Sequence, residues 1–264
     1  MIETFVALLL AHALADFVFQ TNRMAANKRQ PLMLALHFAT VYATLVAATG
    51  SLHLALLALA LVHVGIDIGK LALASALKGR EALALFLGDQ ALHLASLLAL
   101  ALWFPDLWSQ GLWASDVTGA DGGILGTGFW AEASPLPPLP ALMALAAGLI
   151  LATRAGGFAV GLLMQPFAER LPPEVTAESL PGAGRVIGLL ERGLIFTLVL
   201  LGQPEGVGLL MAAKSILRFG AVKDDRALSE YVIIGTLASF GWALVAAYGT
   251  LALLAPLGIP TVSP

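Results

Sequence analysis

The chain is built from apolar runs long enough to cross a bilayer, and no other feature restricts its possible folds so strongly. Eight runs can be drawn, at about residues 2–20, 31–50, 52–77, 81–104, 139–165, 185–202, 205–219 and 228–257. A helix needs roughly 20 apolar residues to span a hydrocarbon core ~30 Å thick. The sixth and seventh runs are short and carry charges, so they read as re-entrant or as buried in a bundle. Helix is the required conformation, because an open strand in lipid leaves its backbone N–H and C=O groups unpaired. The alternating strands of an outer-membrane barrel do not appear in the sequence. The expected fold is therefore all-α, a polytopic transmembrane helix bundle of about eight spans, six full and two short.

Composition agrees, with 59% hydrophobic residues and 12% charged, about half the charged fraction of a soluble domain. The first run begins with Glu3 and has no basic n-region, so it reads as a span and not as a cleaved signal peptide. The absence of cysteine excludes disulfides, thiolate metal ligands and cysteine nucleophiles. A net charge of −3 and the lack of any basic tail argue against a nucleic-acid partner.

Lysine and arginine placement sets the expected orientation. Arg23, Lys28 and Arg29 lie between spans one and two, Lys78 and Arg80 between three and four, Arg170 and Arg185 between five and six, and Lys223 and Arg226 before the last span. The segment 105–138 holds Asp106, Asp116, Asp121 and Glu132 but no basic residue. All basic loops thus fall on one side, read as cytoplasmic, and both termini are expected outside. Trp103, Trp108 and Trp113 fit an interfacial belt on the outer side, where His53 also lies. The expected organisation is a four-helix half over 1–104, an extracytoplasmic loop over 105–138 and a second transmembrane half over 139–264.

Ionisable residues recur inside these runs at helical spacing. His12 and Asp16, His63 and Asp67, and Asp89 and His93 are each four residues apart, which puts both members on one helix face. Five His and eight Asp in 264 residues would yield roughly 0.3 such pairs by chance. Gln20 and Lys70 extend two of these stripes, and His37 adds an imidazole from span two. Counting rise per residue from each cytoplasmic end puts the groups roughly 9–22 Å deep. Ionisable groups at that depth are costly unless paired or hydrated, so they are expected to face one another in one shared site. Shifts of 51 residues relate His12 to His63 and Asp16 to Asp67, and a shift of 52 relates His37 to Asp89. Spans one and two thus read as a hairpin repeated in spans three and four.

Three readings of this cluster compete. In the first, each pair is a structural hydrogen bond locking helices together, and the chain is a non-catalytic membrane partner. In the second, the residues form a proton or cation relay through a transporter or channel. In the third, favoured on the ligand chemistry, they hold one or two divalent metal ions. Imidazole and carboxylate without thiolate suit zinc, with manganese or iron as alternatives. The ligand pool is His12, Asp16, His37, His63, Asp67, Asp89 and His93. The expected use is hydrolysis of a membrane-associated substrate, such as a phosphorylated lipid. Asp16 or Asp89 would act as general base, and Lys70 would neutralise a carboxylate or hold an anionic group.

The second half carries Glu191, Arg192, Lys214, Arg218 and Glu230. Lys214 and Arg218 share a face, an unfavourable pairing unless an anion lies between them. Glu191 and Glu230 can provide it. The functional reading makes Lys214, Arg218, Glu191 and Arg192 a pocket for a phosphate or carboxylate group, with Arg154 in the same network. Gly157 and Gly161, and Gly184 and Gly188, have the spacing that lets helices pack closely. Membrane lipids and a small-molecule or lipid substrate are the expected partners, with self-association into a homo-oligomer.

The stretches "LLLAHALADFVFQTNRMAANK", "HVGIDIGK" and "GDQALHL", with His37, resemble the uncharacterised bacterial integral-membrane family catalogued as domain of unknown function 3307. The resemblance covers about residues 1–105. Downstream, "GRVIGLLERGLIF", "AAKSILRF" and "EYVIIGTLAS" are similar to the C-terminal extension of its longer members. The resemblance implies a helical membrane protein of the bacterial inner membrane, and it carries no reaction and no catalytic residue with it.

Overall fold

The computed structural model describes residues 1–76, 81–114, 138–170, 180, 182–222 and 226–259, with backbone alone over 217–222. Every apolar run becomes helix, and no strand occurs among the described residues. Helix α1 spans Ile2–Phe19, and its last turn, Ala15–Phe19, widens into a π-turn. A short helix, α2, covers Asn22–Ala26, where Thr21 Oγ1 caps the start by accepting the Met24 N–H. Helix α3 runs Pro31–Thr49. Pro31 sits in its first turn, where a missing N–H costs no hydrogen bond, and Gly50 closes it in the left-handed region at φ 63°. Then come α4 at Leu54–Ala76 and α5 at Ala82–Trp103.

Helix α6 spans Leu139–Ala168 and is interrupted by a second π-turn at Leu151–Ala155. It is followed by α7 at Ala183–Leu200, α8 at Glu205–Val222 and α9 at Arg226–Leu254 with a 3-10 turn at Ala255–Leu257. Six helices (α1, α3, α4, α5, α6 and α9) are long and apolar enough to cross a membrane. The two charged runs became α7 and α8, so the expectation of six full spans and two lesser ones holds. In α5 only 22% of the apolar window is buried. Leu92, Leu98 and Leu102 turn outward instead, which is how a helix meets lipid and not how a soluble core is built.

The chain divides into two units, one of residues 1–147 with 253–259 and one of 148–252 with 260–264. In the first, α1 packs against α3 and α5, and α4 packs against the same two helices, which closes a four-helix ring. The segment after α5 covers one end of this ring. Thr4 Oγ1 donates to Pro105 O at 2.8 Å and accepts the Trp108 N–H at 3.1 Å. The Leu112 N–H donates to Gly50 O at 2.9 Å, and Trp113 Nε1 donates to Ala47 O at 2.8 Å. This cover corrects part of the expected aromatic belt. Trp103 is exposed, but Trp108, within the covering segment, is buried, with its backbone tied to Thr4. Of the expected loop, 115–137 lie outside the described residues, with Asp116, Asp121 and Glu132; so do Lys78, Arg80 and Lys223.

In the second unit, Ile195, Phe196 and Val199 of α7 pack with Phe240, Ala243 and Ala247 of α9. The small-residue motifs are not paired helix contacts throughout. A methyl group at Gly161 or Gly184 would meet nothing within 4 Å, whereas Gly157 and Gly188 both border the Arg192 guanidinium.

Candidate metal centre

Four helices of the first unit bring the entire predicted ligand pool together. Helix α1 supplies His12 and Asp16, α3 supplies His37, α4 supplies His63 and Asp67, and α5 supplies Asp89 and His93. The π-turn begins at Ala15, so Asp16 is presented from the widened part of α1. Six of the seven are at most 5% exposed, and the Asp16 side chain is 8% exposed.

The tightest contacts run between helices. Within a helix, His12 Nδ1 is 3.9 Å from Asp16 Oδ2, and His63 Nε2 is 3.9 Å from Asp67 Oδ2. Between helices, Asp16 Oδ1, His37 Nε2 and His63 Nε2 form a triangle with edges of 3.1, 3.2 and 3.5 Å. Ligand atoms about 2.0–2.1 Å from a tetrahedral ion are separated by about 3.3–3.4 Å. Asp67 Oδ2 adjoins the triangle, 3.0 Å from His37 Nε2. A second triad, Asp67, Asp89 and His93, lies beside the first, and His12 with His63 and His93 makes a third.

Several polar atoms here are oriented for something other than a protein hydrogen bond. Asp16 Oδ1 lies 3.1 Å from His63 Nε2 but lacks hydrogen-bond geometry to it. Asp89 Oδ1 and His93 Nε2, 3.4 Å apart, are likewise without hydrogen-bond partners among the described residues. His12 Nε2 is 3.2 Å from Gln90 Oε1, an oxygen that only accepts, so the ring proton belongs there. His12 Nδ1 is then a bare lone pair, buried and unpartnered among the described residues. If His37 and His63 each gave an Nε2–H to a carboxylate, two N–H groups would face each other at 3.2 Å. One cation between the nitrogens removes that conflict. The residues therefore fit a metal ion, and the buried His/Asp groups can hold one.

Two lysines complete the electrostatics. Lys28 Nζ donates to Asp67 Oδ2 and Lys70 Nζ to Asp89 Oδ2, each at 2.7 Å. Three carboxylates and two ammonium groups leave the cluster one negative charge when the imidazoles are neutral. Asp16 alone has no lysine among the described ion pairs. Of the two expectations for Lys70, neutralising a carboxylate or holding an anionic group, the contact with Asp89 meets the first. Lys28 and Gln90 are additions to the expected site. Lys28 lies outside every apolar run, 39 residues from Asp67, so no spacing rule links them. Gln20, which extends the first stripe, lies 3.2 Å from His37 Nδ1.

The anion residues of the second unit separate. Lys214 donates to Glu191 at 2.8 Å. Glu230 pairs with Arg226 on the surface and not with Lys214. Arg192 turns away to Thr153 and Ser239. The Arg218 side chain lies outside the described residues.

Residues 4–116 match the family described as "Protein of unknown function (DUF3307)". The match bears out the resemblance read from the N-terminal motifs, and it contains all seven ligand-pool residues, Lys28, Lys70 and the covering segment up to Trp113. Among curated proteins and among solved structures, nothing matches the chain.

Proposed function

We propose that this DUF3307 domain holds a divalent cation inside the membrane and that the chain is a metal-dependent hydrolase acting on a membrane-associated substrate, such as a phosphorylated lipid. The observation that carries the reading is the triangle of Asp16 Oδ1, His37 Nε2 and His63 Nε2, drawn from three helices at 3.1–3.5 Å. Three protein ligands from imidazole and carboxylate suit zinc, with manganese or iron as alternatives, and three-ligand sites are the catalytic kind. Asp67 Oδ2 adjoins His37 but is held by Lys28, so the proposed three-ligand set would keep a coordination position open. When bound, the ion supplies Lewis acidity that lowers the pKa of water toward neutrality.

With Asp16 in the ligand set, Asp89 is the carboxylate left to accept a proton, at its unpartnered Oδ1 beside His93. Lys70 holds the other Asp89 oxygen and, at 32% side-chain exposure, is the most open charged group of the cluster. It is suited to meet an anionic substrate group. His12, with its free Nδ1 turned to Asp16, and His93 extend the ligand pool toward a second ion.

A second reading keeps the same residues as a proton or cation relay. It is favoured by the run of imidazoles, in which His63 and His93 stack at 4.0 Å and His37 and His12 follow at 5.2 and 5.0 Å.

Elemental analysis of detergent-purified protein tests the metal. About one transition-metal ion per chain is expected in wild type and less than about a tenth of that in His63→Ala, since ligand removal costs orders of magnitude in affinity. Protein that neither retains nor rebinds a metal, yet moves protons or a cation in vesicles unless Asp67→Asn is introduced, would establish the relay instead. If both variants lose only thermal stability, the cluster is structural.

A further inference from the structure

The second unit holds a buried cation that the metal centre does not use. Arg192, near the middle of α7, is 4% exposed. Its Nε and Nη2 both donate to Thr153 O, at 3.2 and 3.0 Å, and its Nη1 donates to Ser239 Oγ at 3.1 Å. Thr153 lies within the π-turn of α6, where the wider hydrogen-bond pattern leaves carbonyl groups to be met from outside the helix. Trp242 Nε1 takes another of them, Leu151 O, at 2.9 Å.

Both acceptors of Arg192 are neutral, and no carboxylate among the described residues lies within ion-pair distance of it. The neighbouring Glu191 is turned to Lys214 at 2.8 Å and so is already compensated. A guanidinium has five N–H donors, of which three are used, leaving one on Nη1 and one on Nη2. A buried charge whose nearest carboxylate already serves another cation is costly to hold, and in an apolar bundle such a group points to a functional role.

Two glycines border those two nitrogens. A methyl group added to Gly188 would lie 2.9 Å from Nη1, and one added to Gly157 would lie 3.2 Å from Nη2. Both glycines are half-buried and not sealed in the core. The two terminal nitrogens of the fork therefore border two residues that lack side chains. Paired N–H donors on a planar fork match the two oxygens of a carboxylate or phosphate.

We propose that Arg192 anchors an oxyanion site, walled by Gly157 and Gly188, that takes the phosphate or carboxylate group of an anionic ligand. The site lies wholly within the second unit and is independent of whether the His/Asp cluster binds metal.

Thermal unfolding of the detergent-purified full chain tests it, with inorganic phosphate, phosphatidic acid, oleate and, as neutral control, phosphatidylcholine. At least one oxyanion compound, at concentrations well above its Kd, is expected to raise Tm by roughly 5 °C, with no rise from phosphatidylcholine. Arg192→Met should abolish the rise. Gly188→Ala should abolish or sharply reduce it, while Gly184→Ala, where a methyl group meets nothing within 4 Å, should keep it. Should Arg192→Met fail to fold, the two glycine variants decide. A rise with inorganic phosphate identifies a free anion as sufficient, and a rise with phosphatidic acid or oleate alone identifies a lipid head group. No rise with any oxyanion compound, or a rise that survives in both Arg192→Met and Gly188→Ala, overturns the proposal.

Discussion

Lys28 enters the His/Asp cluster from the turn after α2 and donates to Asp67 Oδ2 at 2.7 Å, an oxygen that also lies 3.0 Å from His37 Nε2. An ammonium group and a metal ion would therefore compete for the electrons of one carboxylate. Removing one member of a buried pair costs about 3–5 kcal/mol because the other charge is left uncompensated. Lys28→Met should then lower Tm markedly in metal-free protein, and added zinc should restore most of the loss. Thermal unfolding of the variant with and without zinc checks this; an equal loss in both conditions would mean that Lys28 serves only as a strut. Residues of this kind mark the limit of what was legible in the sequence. His12 with Asp16 and Asp89 with His93 were readable because a helix repeats every 3.6 residues. The pairing of Lys28 with Asp67, and the triangle linking α1, α3 and α4, depend on which helices become neighbours, and no spacing within a run encodes that.

At the level of elements, the helices were readable and their irregularities were not. The apolar runs located the eight long helices of the described residues to within a few residues, because a lipid-facing segment has a length set by the bilayer and no alternative to helix. The π-turns at Ala15–Phe19 and Leu151–Ala155 left no comparable mark. They arise where Asp16 must reach the cluster and where Arg192 and Trp242 reach backbone carbonyls, contacts made by distant parts of the chain. The cover of the first bundle was likewise hidden in what read as loop. Gly111 lies so close to the Thr49 carbonyl that a side chain there would collide with backbone. Gly111→Ala should therefore destabilise the fold by about 2–4 kcal/mol while leaving metal content per folded chain unchanged. Gly65→Ala, in open space on α4, should instead be neutral or stabilising by up to about 1 kcal/mol from helix propensity. Melting curves of the two variants should shift in opposite directions or differ by most of that sum; similar curves would contradict the packing at Gly111.

For the whole molecule, we propose insertion in a bacterial inner membrane with the turn holding Arg23, Lys28 and Arg29 on the cytoplasmic side and both termini outside. The chain has no cysteine, so single cysteines report topology without background. Arg29→Cys and Gln110→Cys replace exposed residues, one in that turn and one in the segment covering the opposite end of the first bundle. In intact cells an impermeant thiol reagent should label the Gln110→Cys protein and spare the Arg29→Cys protein until the membrane is opened. The reverse pattern would invert the orientation and place the cluster nearer the outer face. Hydropathy made the six candidate spans legible, since it is a property of whole runs, and the basic loops carry the proposed orientation.

Because Asp67 and Asp89 each carry their own lysine, the cluster is nearly neutral before any ion arrives. If the cluster holds metal as proposed, the polypeptide would fold without it and be loaded afterward, which makes loading a late maturation step and not a condition of biogenesis. Cells depleted of transition metals should accumulate full-length, membrane-integrated protein at an undiminished level, measurable by immunoblot of washed membranes, and that protein should take up zinc on later addition.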